Sequence, residues 1–186
     1  MLKKLSLLIV TLCCLTACGA EEVDLESVSE YYEQMNVLTL EATISTNSGA
    51  LISYDILFTR TDEGDSVKIL SPDSLAGITA KIYPDKTEIV YEDMAVETLL
   101  PGISGYVPAD AVTGMIKDIG QAVPDEYGLT EVNGKEAILL TFVDEYEGMT
   151  AEKSLWLSRE DFSVIKGEFY LDGVMIMELN VKSFVI

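Results

Sequence analysis

The sequence predicts an α+β fold: one long, strongly curved antiparallel sheet, a half-open barrel, with helices covering its concave face. Three observations predict it. Segments of period-two alternation run from Leu38 to Ile186, separated by turn dipeptides. A stretch of helical spacing interrupts them between Pro108 and Pro124, and a shorter one precedes them. A single sheet of that many strands curls or closes, and a helix inserted midway finds an apolar partner on the inside of the curve.

The chain opens on an address. Lys3 and Lys4 form a positive start, Leu5 to Leu15 is nearly all apolar, and Thr16-Ala17 lead into Cys18. The run is too short for an ordinary membrane span and reads as a secretory signal over residues 1–17. Leu15-Thr16-Ala17-Cys18 followed by Gly19 resembles the lipobox of bacterial lipoproteins, which implies a diacylglycerol thioether on Cys18 and cleavage just before it. Each buried acyl CH₂ contributes about 0.8 kcal/mol, so two or more chains hold a protein on a membrane effectively for good. Residues 18–23 read as a small, acidic tether and 24–186 as a single domain.

From Asp24 the spacing turns helical. Val28, Tyr31 or Tyr32, and Met35 share a face, and acids crowd the first turn, which predicts a helix over Leu25 to Gln34. Leu38, Leu40, Ala42 and Ile44 then alternate with polar residues. Asn47-Ser48-Gly49 turns the chain, and Ile52, Tyr54, Ile56 and Phe58 alternate on the way back. Asp62 to Asp65 is a turn before a strand from Val67 to Leu70. Gly77 to Tyr83 and Thr87 to Asp93 pair around Pro84-Asp85, and Ala95 to Leu100 extends the meander. Pro101-Gly102 interrupts it.

Pro108 is placed as a first helical residue, with Val112, Met115, Ile116, Ile119 and Val123 on one stripe. Gly114 and Gly120 inside that helix cost about 1 kcal/mol each against Ala, so it depends on packing its stripe. Strands resume over Tyr127 to Val132, Ala137 to Val143, Ala151 to Ser158, Phe162 to Leu171 and Val174 to Ile186. Asn133-Gly134, Glu147-Gly148 and Asp172-Gly173 mark the hairpins. Ala137 to Val143 is apolar on both faces and is expected at the centre of the sheet.

Composition narrows the function. There are 32 acidic and 12 basic residues, a net charge of −20, and without Lys3 and Lys4 the remainder carries −22. That field repels nucleic acid and anionic headgroups alike, so no nucleic-acid partner is expected and the body stands off the bilayer. With 48% hydrophobic residues in clear patterns, the acidity does not signal disorder. All three cysteines lie at or before Cys18, with Cys13 and Cys14 as apolar filler, and the chain has no histidine. A Ser or Cys nucleophile would lack its usual base, so no catalytic residue and no enzyme activity is expected. Asp62, Glu63, Asp65 and Asp144, Glu145, Glu147 lack the spacing of a calcium loop and read as solvated turns. No metal and no cofactor is expected.

Trp156-Leu157, Phe162, Lys166, Glu168, Phe169-Tyr170, Asp172-Gly173 and a final strand ending at Phe184 resemble the C-terminal half of the LolA/LolB-like lipoprotein carriers. Where that pattern often has Pro before the Lys, this chain has Val164-Ile165. The order of helix, meander, helix and meander fits the family along the whole remainder. Val67 to Pro72, Gly77-Ile78 and Tyr91-Glu92 also resemble uncharacterised clostridial-type lipoproteins of this fold.

The resemblance implies an apolar cavity under helical lids, holding acyl chains in the carriers, and one germination lipoprotein of this kind instead binds a cell-wall amidase. Leu38, Leu40, Ile44, Ile52, Tyr54, Ile56 and Phe58 would then line a ligand cavity, with Met115, Ile116 and Ile119 as the lid. The competing reading is a closed core, plugged by that helix. Met175 and Met177 read as core rather than as an adaptable lipid surface. Two functions stay open: an envelope lipoprotein that carries or senses an apolar ligand such as a lipid, and an adaptor for a cell-envelope enzyme.

Overall fold

The computed structural model describes residues 23–47, 51–98 and 105–186. Within them the order is α1 (Leu25–Glu33), β1 (Leu38–Asn47), β2 (Leu51–Thr61), β3 (Gly64–Ser71), β4 (Thr79–Ile82), β5 (Thr87–Tyr91) and β6 (Met94–Thr98). Then come α2 (Ala111–Gln121), β7 (Glu126–Val132), β8 (Lys135–Tyr146), β9 (Met149–Ser158), β10 (Val164–Leu171) and β11 (Val174–Val185). The signal segment, Cys18, the tether up to Glu22, the Ser48-Gly49 turn, Leu99-Leu100 and Pro101-Gly102 lie outside the described residues. None of the described helices is long and apolar enough to cross a membrane.

The strands form one antiparallel sheet in the order β6-β5-β4-β3-β2-β1-β11-β10-β9-β8-β7. The chain starts in the middle with β1 and meanders outward to β6. It crosses by way of α2 to the opposite edge, then meanders back until β11 pairs with β1. Strands β6 and β7 are the two ends, so the sheet is not closed. Register shifts in the β1–β11, β2–β3, β9–β10 and β10–β11 ladders add the local twist and bend that bulges bring. The hairpins at Asn133-Gly134, Glu147-Gly148 and Asp172-Gly173 all carry two positive φ values, as type I′ turns require.

One face of this sheet carries the core. Leu38, Leu40 and Ile44 of β1, Phe58 of β2 and Leu155 and Leu157 of β9 are fully buried there. Val28 and Tyr32 of α1 and Val112, Met115, Ile116 and Ile119 of α2 join the same cluster. Helix α1 is seated through Tyr32, whose hydroxyl donates to the Phe162 carbonyl at 2.7 Å. The Tyr31 ring meets the Phe162 ring edge-on at 5.7 Å. Phe162 stands in the turn before β10 with φ +58°, a costly conformation for a bulky residue, rather than in the strand itself.

Helix α2 is shorter than its spacing predicts. The Asp110 amide donates to the Val107 carbonyl at 3.1 Å, so Pro108 occupies the second position of a β-turn instead of opening the helix. Val123 lies past the C-cap and is 87% exposed, outside the stripe. The four remaining apolar side chains bury at about 2 kcal/mol each, several times the propensity cost of Gly114 and Gly120.

Strand β8 is not central, as its composition predicts, but one in from the β7 edge. Its apolar residues face both ways because the outer face has its own apolar contact: Ile138, Leu140 and Phe142 enter the core, while Leu139 pairs with Trp156.

Candidate functional site

A cavity of about 440 Å³ lies on the core side of the sheet, away from the helices. Tyr54 and Ile56 of β2, Val67 and Ile69 of β3, Ala80 of β4 and Ile89 of β5 form its floor. Leu75 and Ile78 from the β3–β4 connection and the turn Val107-Pro108-Ala109 close its sides, and among the described residues no charged side chain lines it. The alternation that builds β2 to β5 places one apolar residue of every two on this floor. Ala80 leaves room where its neighbours are large. Two larger depressions, of about 700 and 830 Å³, are lined by residues such as Arg60, Asp62 and Lys117, or Lys135, Glu136 and Asp161. Neither suits an apolar ligand.

The predicted site residues divide. Tyr54 and Ile56 line the cavity. Leu38, Leu40, Ile44 and Phe58 are sealed in the core, and Ile52, near the end of β2, is 41% exposed. Met115, Ile116 and Ile119 are fully engaged in the core, with Ile116 also bordering the polar groove beside α2. Met177 is core and Met175 is exposed. Val67, Ile69, Ala80 and Ile89 were legible as strand residues but not as a cavity. What singles them out is that the described lining includes no residue of α1 or α2, a tertiary fact.

The connection into α2 is tied to the sheet by buried polar groups that the pattern did not announce. Lys153 projects from β9 into the core, 2% exposed, and pairs with Asp118 of α2. Its ammonium stands 5.0 Å from the Tyr106 ring centre and 5.8 Å from that of Phe169. Asp110, 7% exposed, accepts the Gly105 amide on Oδ2 at 2.9 Å, while its Oδ1 has no partner among the described residues. Burial pushes the Asp110 carboxyl above the usual range, against the pull of that amide and of Lys153. Burial also holds the Tyr106 hydroxyl well above its ordinary value, helped by the charges of Asp144, Asp118 and Glu152.

On the other flank Thr113 donates to Asp65 at 2.8 Å, and Arg60 grips the same carboxylate through Nε at 2.8 Å and Nη2 at 2.7 Å. Asp65 is therefore a buried anchor and not a solvated turn residue, whereas Asp62, Glu63, Asp144, Glu145 and Glu147 are exposed. Glycines make the close approaches. A Cβ on Gly105, at φ +82°, would stand 3.1 Å from Gly114 Cα and 3.1 Å from Lys153 Nζ. One on Gly120 would stand 3.3 Å from the Glu33 amide nitrogen, where α2 crosses α1.

The motif residues Trp156, Lys166, Glu168 and Tyr170 meet on the outer face. Lys166 Nζ lies 3.8 Å from the Trp156 ring centre and 2.7 Å from Glu168 Oε1. The Tyr170 hydroxyl donates to Glu168 Oε2 at 2.6 Å. Burial raises the Glu168 carboxyl, but these two hydrogen bonds outweigh it and leave the group below its usual range. The same bond pushes the Tyr170 hydroxyl up to about 12. The cluster holds β9 to β10. Among the described residues no group of three or more acidic, Cys or His side chains could hold a metal ion.

No protein-family model matches the sequence, and no curated protein is significantly similar to it. Solved structures are. An uncharacterized conserved protein from Thermus thermophilus superposes with TM-score 0.56 at 12% identity, over 87% of this chain and 85% of that one. A LolA superfamily protein from Nitrosomonas europaea gives TM-score 0.43 at 14% identity, over 89% and 94%. A chain of the CwlD amidase–GerS lipoprotein complex from Clostridioides difficile gives 0.49 at 17%, over 91% and 99%. LolA superfamily proteins are thus among the structural neighbours, and at these identities the likeness is one of fold.

Proposed function

We propose that this chain is an envelope lipoprotein, held by lipid on Cys18 at the extracytoplasmic face of the cell membrane, that binds an apolar ligand. The ligand sits in the cavity between β2 to β5 and the Val107–Ala109 turn, and the protein carries or senses it rather than transforming it. The core-bearing face is the concave side of the half-barrel. The single observation behind this reading is the cavity itself: about 440 Å³, with no charged side chain among the described residues that wall it. Pockets for small ligands run on the order of 300–1,000 Å³ and are mostly apolar, so this one takes a single acyl chain or a molecule of that bulk. With a charge of −22 beyond the signal, a neutral or cationic ligand is favoured over an anionic lipid.

The test is cavity filling. Ala80→Phe projects a ring into the space from the sheet floor. The wild-type protein is expected to take up a fluorescent fatty alcohol and to co-purify with lipid in native mass spectrometry. The variant should keep its melting temperature and lose both signals. A wild type that takes up no apolar probe, or an Ala80→Phe variant that takes it up equally, refutes the reading. One observation favours a second reading, an adaptor for a cell-envelope enzyme such as a cell-wall amidase: Met115 and Ile119 are buried in the core cluster, so α2 plugs the sheet there rather than standing off it as a lid.

A further inference from the structure

The two free edges of the sheet are built differently. Strand β7 reads Glu-Tyr-Gly-Leu-Thr-Glu-Val, blunted by acids at Glu126 and Glu131 and by Gly128. Strand β6 reads Met-Ala-Val-Glu-Thr; it is short and carries one acid, Glu97, but no proline, no lysine and no bulge in its register with β5. All five of its residues are exposed. Met94 is 64% and Val96 63% exposed. Val96 pairs with Ile89, a cavity residue, and Met94 with the part-exposed Tyr91. Among the described residues, the apolar floor of the cavity therefore runs out to this edge through Ile89 and Val96, with Val96 left exposed.

Backbone geometry says which groups are on offer. Tyr91 and Met94 flank the two-residue turn Glu92-Asp93, so the pairs 91–94, 89–96 and 87–98 exchange hydrogen bonds within the hairpin. The amides and carbonyls of Ala95 and Glu97 then point outward. The charge around them is one-sided. Asp85, Glu88, Glu92, Asp93 and Glu97 face a single cation between residues 85 and 98, Lys86, already paired with Glu97.

We propose that β6 is a docking edge for an extended segment of a partner protein that alternates apolar and basic residues and adds to the sheet as a further strand. Its backbone pairs with Ala95 and Glu97. Its apolar side chains cover Met94 and Val96, and its cations answer Glu92, Asp93 and Glu97. A second copy of β6 fits poorly, because it brings the same acids into register with themselves. A lipid offers no row of donors and acceptors. The inference holds whether or not the cavity has a ligand.

The probe is a fluorescein-labelled seven-residue peptide of alternating valine and lysine, titrated by anisotropy against the full lipoprotein in detergent. Binding that rises at low salt, with slowed amide exchange at Ala95 and Glu97, is expected. Ala95→Pro deletes an outward amide and is compatible with an edge position, so it should weaken binding at least tenfold with the melting temperature kept. Leu129→Pro on β7 should leave binding unchanged. If Ala95→Pro does not fold, the peptide N-methylated along its pairing side makes the same cut on wild type. No binding, equal binding by a block-scrambled peptide of the same composition, protection at β7, or a homodimer that Ala95→Pro dissolves would each overturn the proposal.

Discussion

Replacing Lys153 with Met removes the cation at the centre of the molecule while keeping most of its stem. The variant leaves Asp118 facing the core 26% exposed and Asp110 almost fully buried, with no positive charge between them. Breaking a buried ion pair by removing one partner costs about 3–5 kcal/mol. Asp118 keeps some water, which sets the expectation at the lower end, about 3 kcal/mol. The lost contacts to Tyr106 and Phe169 add little, because a Met thioether also packs well against rings. At about 2–4 °C per kcal/mol for a chain of this size, the melting temperature falls by about 6–12 °C at pH 7.

The pH dependence has a definite sign. The Asp110 carboxyl is held above its usual range in the folded protein, so the folded state takes up a proton more readily than the unfolded chain. Its unfavourable contribution is full at neutral pH and fades as pH falls through the folded value toward 3.8. Without Lys153 the carboxyl is pushed further the same way, so the deficit of the variant should shrink on acidification. Urea unfolding at pH 7 and pH 5 measures it. A second change, Asp118→Leu on top of Lys153→Met, should recover stability to within about 1 kcal/mol of wild type, as isosteric apolar replacements of buried pairs do. A Lys153→Met protein within about 1 kcal/mol of wild type, with no pH dependence in the difference, would sink the idea that this charge is buried and paired.

Gly120→Ala gains about 1 kcal/mol of helix propensity but puts a methyl 3.3 Å from the α1 backbone, which can yield only if the helices part. A net loss of about 1 kcal/mol is expected by differential scanning calorimetry, and a higher melting temperature would show that the crossing has slack. Cys18→Ala should move the protein from the membrane to the soluble fraction and abolish labelling by radioactive palmitate. Retention of both would refute the lipobox reading.

The alternation from Leu38 onward and the three Gly-bearing hairpin turns made the sheet legible, because period two and positive φ are local requirements that residues meet or fail one at a time. Strand order was less so. The apolar run Ala137 to Val143 is expected at the centre, yet β8 lies near an edge, with Leu139 on its outer face opposite Trp156. At Pro108 two conformations share one φ, the first helical turn and a β-turn, and only the position of Asp110 decides between them. The cavity escaped for a different reason. A face of valines and isoleucines looks the same whether a helix covers it or stops short, and Lys153 in a strand reads as a surface residue until the Asp118 side chain is placed opposite it.

The pairing of β1 with β11 joins the first strand to the last, with Thr39 facing Val185. The middle of the sheet therefore cannot form until β11 has been made, however early the outer hairpins close. Folding so dominated by distant contacts is slow, on the order of milliseconds to seconds. Until it finishes, β1 offers an apolar face and an unpaired side to whatever is nearby. A premature stop ahead of Met177, where the ladder with β1 begins, would not trim an end of this molecule. It would unzip it at the centre, leaving two half-sheets that share no ladder.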